Sequence, residues 1–449
     1  MPKISRLILA ILALLCVALP SATPIAAQTV PVTIPACSGT ADVSAITARL
    51  DLLEQQAVEQ PAAGPVVTEA AQTVIPRYAD GKSPPAGSLN GGVYKATHET
   101  QNQTIPAVVI TEDCDQKLSA FTSLTPEAIA AVQQPILRDV TISGIEGEVN
   151  DRFEFNTGKP VKYGGAIVNA TGAVVDNLHV FGIPGLGGKF TRSGYTNKVG
   201  PGQLWDRPEH LLSTLSAKSC FSGFDFAGTD LQIRGCVVSG WRGDPGEFGI
   251  KLSGHANQCS DFHAYGGRGP GIWIAGQGNL GTDLESENAE VGILIDGDGN
   301  TFSIVRCFVI TDCCLRVNGH HNSCSQVALV ATKTGLELND QHNTVTGQVN
   351  GTGEATCVVL NNAVGQKIDL TLAMYGQPKA RGLVATTGQV SYCDINLSVS
   401  GGAVGADFSA GLGIRNRIRV TTKDATVAPI LLPKTRDASN EIIVNGVRQ

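Results

Sequence analysis

Three side chains spaced 22 and 21 residues apart, His263, Glu285 and Arg306, carry the first hint of chemistry. If the chain returns on itself with that period, they stack in one column. An imidazole, a carboxylate and a guanidinium held together are the parts needed for general acid–base work on a sugar. The same column also fits a surface charge ladder that stabilises a sheet face. One residue earlier, Asp261 and Asp283 form a candidate carboxylate pair. Acids recur at a similar place at Asp139, Asp230, Asp369 and Asp394, which points to a residue that opens a strand rather than to a catalytic one. A second column reads Lys251, Trp273, Leu294, Arg316 and Glu337. An indole between two cations suits stacking on a sugar ring and holding its carboxylate, so Lys251, Trp273 and Arg316 are the candidate substrate-binding residues. A Trp covered by the amino-terminal region or by a second subunit fits the same pattern.

No CxxC pair has the spacing of a zinc site, and no metal centre is expected. Asp296, Asp298, Asp340, His320, His321 and His342 crowd one corner of the repeat. Oxygen-rich turns hold Ca²⁺ and imidazoles bind transition metals, but solvated turn residues account for the same cluster. Ca²⁺ at that corner is the one cofactor the sequence leaves open.

These residues need elements that bring period-22 positions together. From about Ile136 a Gly-apolar-any-apolar unit recurs, beginning at Gly249, Gly271, Gly292, Cys314, Gly335, Cys357, Gly382 and Gly405, in steps of 22, 21, 22, 21, 22, 25 and 23 residues. A second strand-like unit follows each first one, led by Phe262, Leu284, Val305, Val327, Val349, Leu370, Ile395, Ile418 and Ile442. The offset between the two apolar leads is 12 residues, and 13 only from Leu336 to Val349, which implies a corner of constant length. Asn257, Asn279, Asn300, Asn322 and Asn343 sit in that corner. Asn tolerates left-handed backbone and bonds to neighbouring main chain, so stacked amides would form a ladder.

Two alternating strands, a period near 22 and a turn Asn predict a solenoid. The leucine-rich consensus is absent, and a propeller blade needs about twice the length. What fits is an all-β, parallel β-helix, its coils stacked at roughly 4.8 Å. In its repeat and Asn ladder, residues 136–447 resemble the right-handed parallel β-helix superfamily of pectate lyases and related polysaccharide enzymes. Handedness is an implication of that resemblance. The superfamily's catalytic signatures are not intact: Arg417-Ile418-Arg419 is a weak echo of one, and Asp244-Pro245-Gly246-Glu247 lacks the His of another. No catalytic residue is carried over.

The remaining chain sets the context. Lys3 and Arg6 precede an apolar run of 13 residues at 7–19, short of the ~20 that span a bilayer, and small residues follow up to Ala27. This predicts a secretory signal peptide at 1–27, a secreted or periplasmic protein, and no membrane partner after cleavage. Residues 28–135 read as an amino-terminal head: a short helix at 43–53 opened by Asp42, a proline-rich linker at 60–88, and a helix at 125–132. Residues 136–449 are the β-helix, interrupted at 181–219 by an insertion with a helix at 207–217. The mature chain keeps 11 cysteines. Cys37 and Cys114 could pair, and the strand cysteines read as small apolar residues. Basic residues number 33 against 40 acidic ones, with no basic stripe, which argues against a nucleic-acid partner.

Two functional classes are expected. One is a non-catalytic secreted β-helix that binds glycan or forms part of a surface or spike-like assembly, a homo-oligomer being compatible with it. The other is a carbohydrate-active lyase or hydrolase acting on an acidic polysaccharide.

Overall fold

The computed structural model describes residues 89–90, 93–95, 108–111, 136–143, 161–169, 173–183, 185–191, 196–198, 204–206, 210–241 and 247–449. All fall in one compact unit, Ala71–Gln449. The signal peptide, the helices at 43–53 and 125–132, the linker at 60–88 and the Cys37–Cys114 pairing lie outside the described residues.

The described residues form a parallel β-solenoid of about 11 turns, with coils of about 23 residues and no helix among them. A thirteen-stranded sheet takes the first strand of each coil, from Val108–Thr111 to Ala428–Leu431. A sixteen-stranded sheet takes the second strands, from Leu89–Asn90 to Val447–Arg448. Leu89–Asn90 and Val93–Lys95 pair with Ile136–Ser143, and Val108–Thr111 pairs with Val161–Asn169. Parallel pairing thus extends into the stretch read as a head.

Within residues 181–219, strands of the stack lie on both sides of an excursion. Gly185–Thr191 joins the first-strand sheet and Leu211–Lys218 the second. The excursion contains a hairpin of Thr196–Lys198 with Leu204–Asp206. Where a helix was expected at 207–217, residues Leu211–Lys218 form a strand. Leu212, Leu215 and Ala217 are buried, and their three-then-two spacing imitates a helical stripe. That spacing comes from a kink: Thr214 has φ 52°, which inserts one extra residue between two inward-facing ones.

The Gly-apolar-any-apolar unit has a packing cause. In Pro270–Ile274 the side chains of Ile272 and Ile274 are fully buried, while the glycine ahead of them lies against the next coil. A Cβ on Gly249 would sit 2.6 Å from the Gly271 carbonyl oxygen.

At the corner, Ala256, Gly278, Gly299, His321 and His342 have positive φ, and each is followed by a ladder Asn. The Asn257 N–H donates to Asn279 Oδ1 (3.0 Å), Asn279 N–H to Asn300 Oδ1 (2.9 Å), Asn300 N–H to Asn322 Oδ1 (2.9 Å) and Asn322 N–H to Asn343 Oδ1 (2.8 Å). All five are buried. The ladder continues beyond the sequence reading through Gln366, which accepts the Asn343 N–H (3.1 Å). It is broken by Cys393 and resumes at Asn416 and Asn440. At the other end buried His210 accepts the Ala173 N–H at Nδ1 (2.6 Å), an imidazole in the ladder's place.

The constant corner is corrected by the hydrogen-bond register. Gly347, not Val349, lies opposite Val327, and Leu397, not Ile395, lies opposite Leu370. In register, the offset from the first-strand lead is 12 through Val327, 11 at Gly347, 12 at Leu370, and 14 at Leu397, Val420 and Val444. The late coils have longer corners: 10 residues separate Leu383 from Cys393, against 7 from Ile272 to Asn279.

The recurring acids also divide. Asp139, Asp261 and Asp283 have φ of 54°, 58° and 58° and sit inside second strands. Asn177, Thr214, Gly235, Ile304 and Gln326 hold the same conformation at the equivalent place. Asp230 is a corner residue, and Asp369 and Asp394 lie in strands outside the left-handed region. Short polar side chains suit left-handed backbone, so most of this recurrence is conformational.

Candidate functional site

Three adjacent second strands carry a cluster of ionisable groups. Register places His263 of Gln258–Tyr265 beside Glu285 of Leu280–Glu287, and Glu285 beside Arg306 of Thr301–Ile310. The three residues read as a column are therefore neighbours. His263 Nε2 is 3.7 Å from Glu285 Oε1, and Arg306 Nε is 3.0 Å from Glu285 Oε2. Arg306 Nη2 also pairs with Asp283 Oδ1. Asp261 instead accepts the Ser260 hydroxyl (3.0 Å), so Asp261 and Asp283 have separate partners.

Two further residues belong here. Glu287 Oε1 lies 3.9 Å from His263 Nε2, because residues i and i+2 of a strand share a face. That alternation is legible in the sequence, but a spacing of two does not register in a period of 22. Tyr265 is 41% exposed, packs its ring against His263 at 5.0 Å and lies in register with Glu287. Its exposure leaves ring surface free for a ligand. Burial, and then a hydrogen bond with Glu285, push the Glu287 carboxyl above its usual value, while His263 pulls it the other way. Two carboxyls in contact favour one proton between them.

The first-strand column is more self-contained. Lys251 Nζ stands 3.6 Å over the Trp273 ring centroid, and Phe248 packs edge-on at 6.1 Å. The Trp273 Nε1–H donates to Asp296 Oδ2 (2.7 Å). Burial lowers the Lys251 pKa, opposed by Asp225. Lys251 thus occupies the indole face that a sugar would use. Leu294 separates Trp273 from Arg316. Arg316 is paired with Glu337 (2.7 Å) and Asp312 (2.9 Å). Lys251 and Trp273 are brought together; Arg316 is in a different cluster.

The corner acids and histidines also have protein partners. Asp296 Oδ1 accepts from Asn318 (2.7 Å), Asp298 accepts the His320 N–H (2.7 Å), and His320 Nε2 lies 3.0 Å from Asp340. His321 stacks on His342 at 5.0 Å, nearly parallel. Asp296 begins a second amide ladder that the sequence reading missed. Asn318, Asn339 and Asn361 each donate to the preceding member at 2.7, 2.6 and 2.7 Å. Its 22, 21, 22 spacing was as regular as that of the buried one.

The nine cysteines in the described residues are buried and free. Burial pushes the Cys259, Cys324 and Cys357 thiols up to about 12, which makes them poor nucleophiles and apolar fillers of the core.

No protein-family profile, curated protein or solved structure matches this chain.

Proposed function

We propose that this protein is a secreted β-solenoid that binds glycan across the outward face of Gln258–Tyr265, Leu280–Glu287 and Thr301–Ile310, as part of a cell surface or a surface assembly. The observation that carries the reading is the placement of Tyr265, His263, Glu285, Glu287 and Arg306 on three adjacent strands. A partly exposed aromatic ring supplies stacking surface, and carboxylates and a guanidinium supply acceptors and donors for hydroxyls. Asp283, Glu285 and Glu287 outnumber Arg306, so the face suits a neutral glycan better than a polyuronate. The amino-terminal signature supports secretion. The parallel solenoid and its Asn ladder support a place among the right-handed pectate-lyase-like β-helices.

One observation favours the catalytic alternative, a polysaccharide lyase or glycoside hydrolase. Glu287 is shifted toward its protonated form by burial and by its contact with Glu285, whose other oxygen faces Arg306. Two carboxyls in unlike surroundings are how acid and base roles are divided.

The test is a panel of neutral and acidic polysaccharides scored for binding and for product release. Tyr265→Ala is expected to weaken binding about fivefold or more, in line with the roughly 1 kcal/mol of an aromatic contact, and Trp273→Ala to change it less. Product from the wild type, lost in Glu287→Gln with binding retained, would select the enzyme. Binding to no glycan, or binding indifferent to Tyr265, would remove this face.

A further inference from the structure

His263 meets Glu285 and Glu287 in a way that hydrogen bonding does not explain. His263 Nε2 is shielded from solvent and has no hydrogen-bond partner. It faces carboxylate oxygens at 3.7 and 3.9 Å, beyond hydrogen-bond length. A polar nitrogen withheld from water and left unpaired is costly. One ligand atom from each of the three residues lies within 4.8 Å of the other two. An ion with bonds of about 2.0–2.2 Å to nitrogen and oxygen fits between them with small side-chain shifts. They are the one such trio of His, Cys, Asp or Glu among the described residues.

The surroundings favour the same use. Glu285 turns Oε1 toward His263 and Oε2 toward Arg306, and Arg306 is itself anchored by Asp283. A ligating carboxylate whose second oxygen is ion-paired with an anchored cation has outer support of the kind that orients metal ligands. The three side chains are only partly exposed, at 36%, 20% and 42% for His263, Glu285 and Glu287, so the centre is sheltered yet open on its outer side.

We propose that His263, Glu285 and Glu287 form a site for a divalent transition-metal ion, Zn²⁺ foremost, bound by one imidazole nitrogen and two carboxylate oxygens with an outward position left for water or ligand. The imidazole sets the class of ion, because Ca²⁺ and Mg²⁺ take oxygen ligands whereas imidazole suits Zn²⁺, Cu²⁺ and Ni²⁺.

The inference stands apart from the glycan reading and is tested without glycan. The full chain, stripped with chelator, is titrated with Zn²⁺ by calorimetry at pH 7, and with Co²⁺ by visible absorption. One equivalent of saturable binding is expected, weakened tenfold or more in both His263→Gln and Glu287→Gln, and unaffected by His320→Gln or by millimolar Ca²⁺. Glu287→Gln preserves shape, and circular dichroism would establish that each variant keeps its β-structure. Absence of one-equivalent binding, or affinity unchanged in the His263 and Glu287 variants, would overturn the site. Loss of glycan binding in Tyr265→Ala with Zn²⁺ affinity intact would leave both readings standing and separate.

Discussion

The second strands fall into two groups, and the contrast between them locates the candidate site. In Leu211–Lys218, Gln258–Tyr265 and Thr301–Ile310 a left-handed residue interrupts the strand, and the buried positions follow a three-then-two spacing. In Lys367–Met374 and Asp394–Gly401 no left-handed residue interrupts the strand, Gly401 with φ 77° only ending it; the spacing is two throughout, and eight residues pair without a break. The changeover is at Gly347, with φ 141°, where the register slips against Val327. The kinked coils have short corners and place charged and aromatic residues beyond the kink, at His263, Glu285, Glu287, Arg306 and Tyr265. The column of Glu285 and Arg306 continues in the straight coils as Thr371, Ser398 and Thr421. A bulge that re-aims side chains is a common device beside functional sites. Here it repeats through the coils that bear the candidate site.

The sharpest test of this division lies in the corners. Gly254, Gly276, Gly297 and Gly319 form a column in the kinked coils, and a Cβ on Gly276 would overlap the Gly254 carbonyl. That oxygen also accepts from Asn279 Nδ2 (3.3 Å), so backbone and ladder would have to shift together. Gly276→Ala is expected to cost about 3 kcal/mol or more, the upper range for overpacking. Gly388, in a long corner, has its nearest atoms at 3.6 Å, and Gly388→Ala is expected to stay within about 0.5 kcal/mol of wild type. Urea unfolding of the two variants measures the difference; equal effects would break the comparison.

The ladder gives a smaller contrast. Asn300 is fully buried; its Oδ1 accepts from both nitrogens of Asn279, and its Nδ2 donates to the Gly276 carbonyl (3.1 Å) and to Asn322 (3.0 Å). Asn300→Ala leaves several of these groups unpaired and should cost roughly 1–3 kcal/mol. Asn440, only partly buried at the far end of the ladder, should cost less. Thermal unfolding of the pair would show whether ladder strength tracks the short corners.

These differences explain what the sequence could and could not disclose. The solenoid was legible because Ile250, Ile272, Ile293 and Leu315 repeat with a glycine or cysteine ahead of each, and because every corner from Asn257 to Asn343 holds the same residue type. The kink was not, because Asp261, Asp283, Ile304 and Gln326 share a backbone conformation and no chemistry. Register failed where it changed: Val349 and Ile395 are apolar at the expected distance but pair one alternation away. In the site, His263, Glu285 and Arg306 were found by period, and Glu287 was missed because it shares their strand face at a spacing of two. That Lys251 covers Trp273 depends on a side-chain conformation that no spacing encodes.

Alkaline pH probes the enclosed core through a buried thiol. Cys324 belongs to a kinked coil, and burial pushes it from 9.0 to about 12. The folded state then keeps a proton that the unfolded state releases above about pH 9, so its contribution is complete below pH 9 and is lost as pH rises toward 12. Cys324→Ala should flatten the fall of stability over that window by up to about 1.4 kcal/mol per pH unit. Denaturation midpoints at pH 8, 9.5 and 10.5 measure it, and an unchanged slope would mean that the thiol is not neutral and enclosed in the folded state.

The kink itself can be sharpened at one residue. Ile304 holds φ 55° although it is β-branched, and left-handed backbone costs such a residue roughly 1–2 kcal/mol. It is 38% exposed, so little burial is forfeited by replacing it. Asp283 and Asp261, one and two coils earlier, show the polar type that accepts this conformation. Ile304→Asn is therefore expected to stabilise the protein by about 1 kcal/mol, seen as a higher urea midpoint with an unchanged slope. Ser398→Asn, in a straight strand without the kink, should give no gain. A loss in Ile304→Asn would mean that its side chain contributes more by packing than its backbone conformation costs.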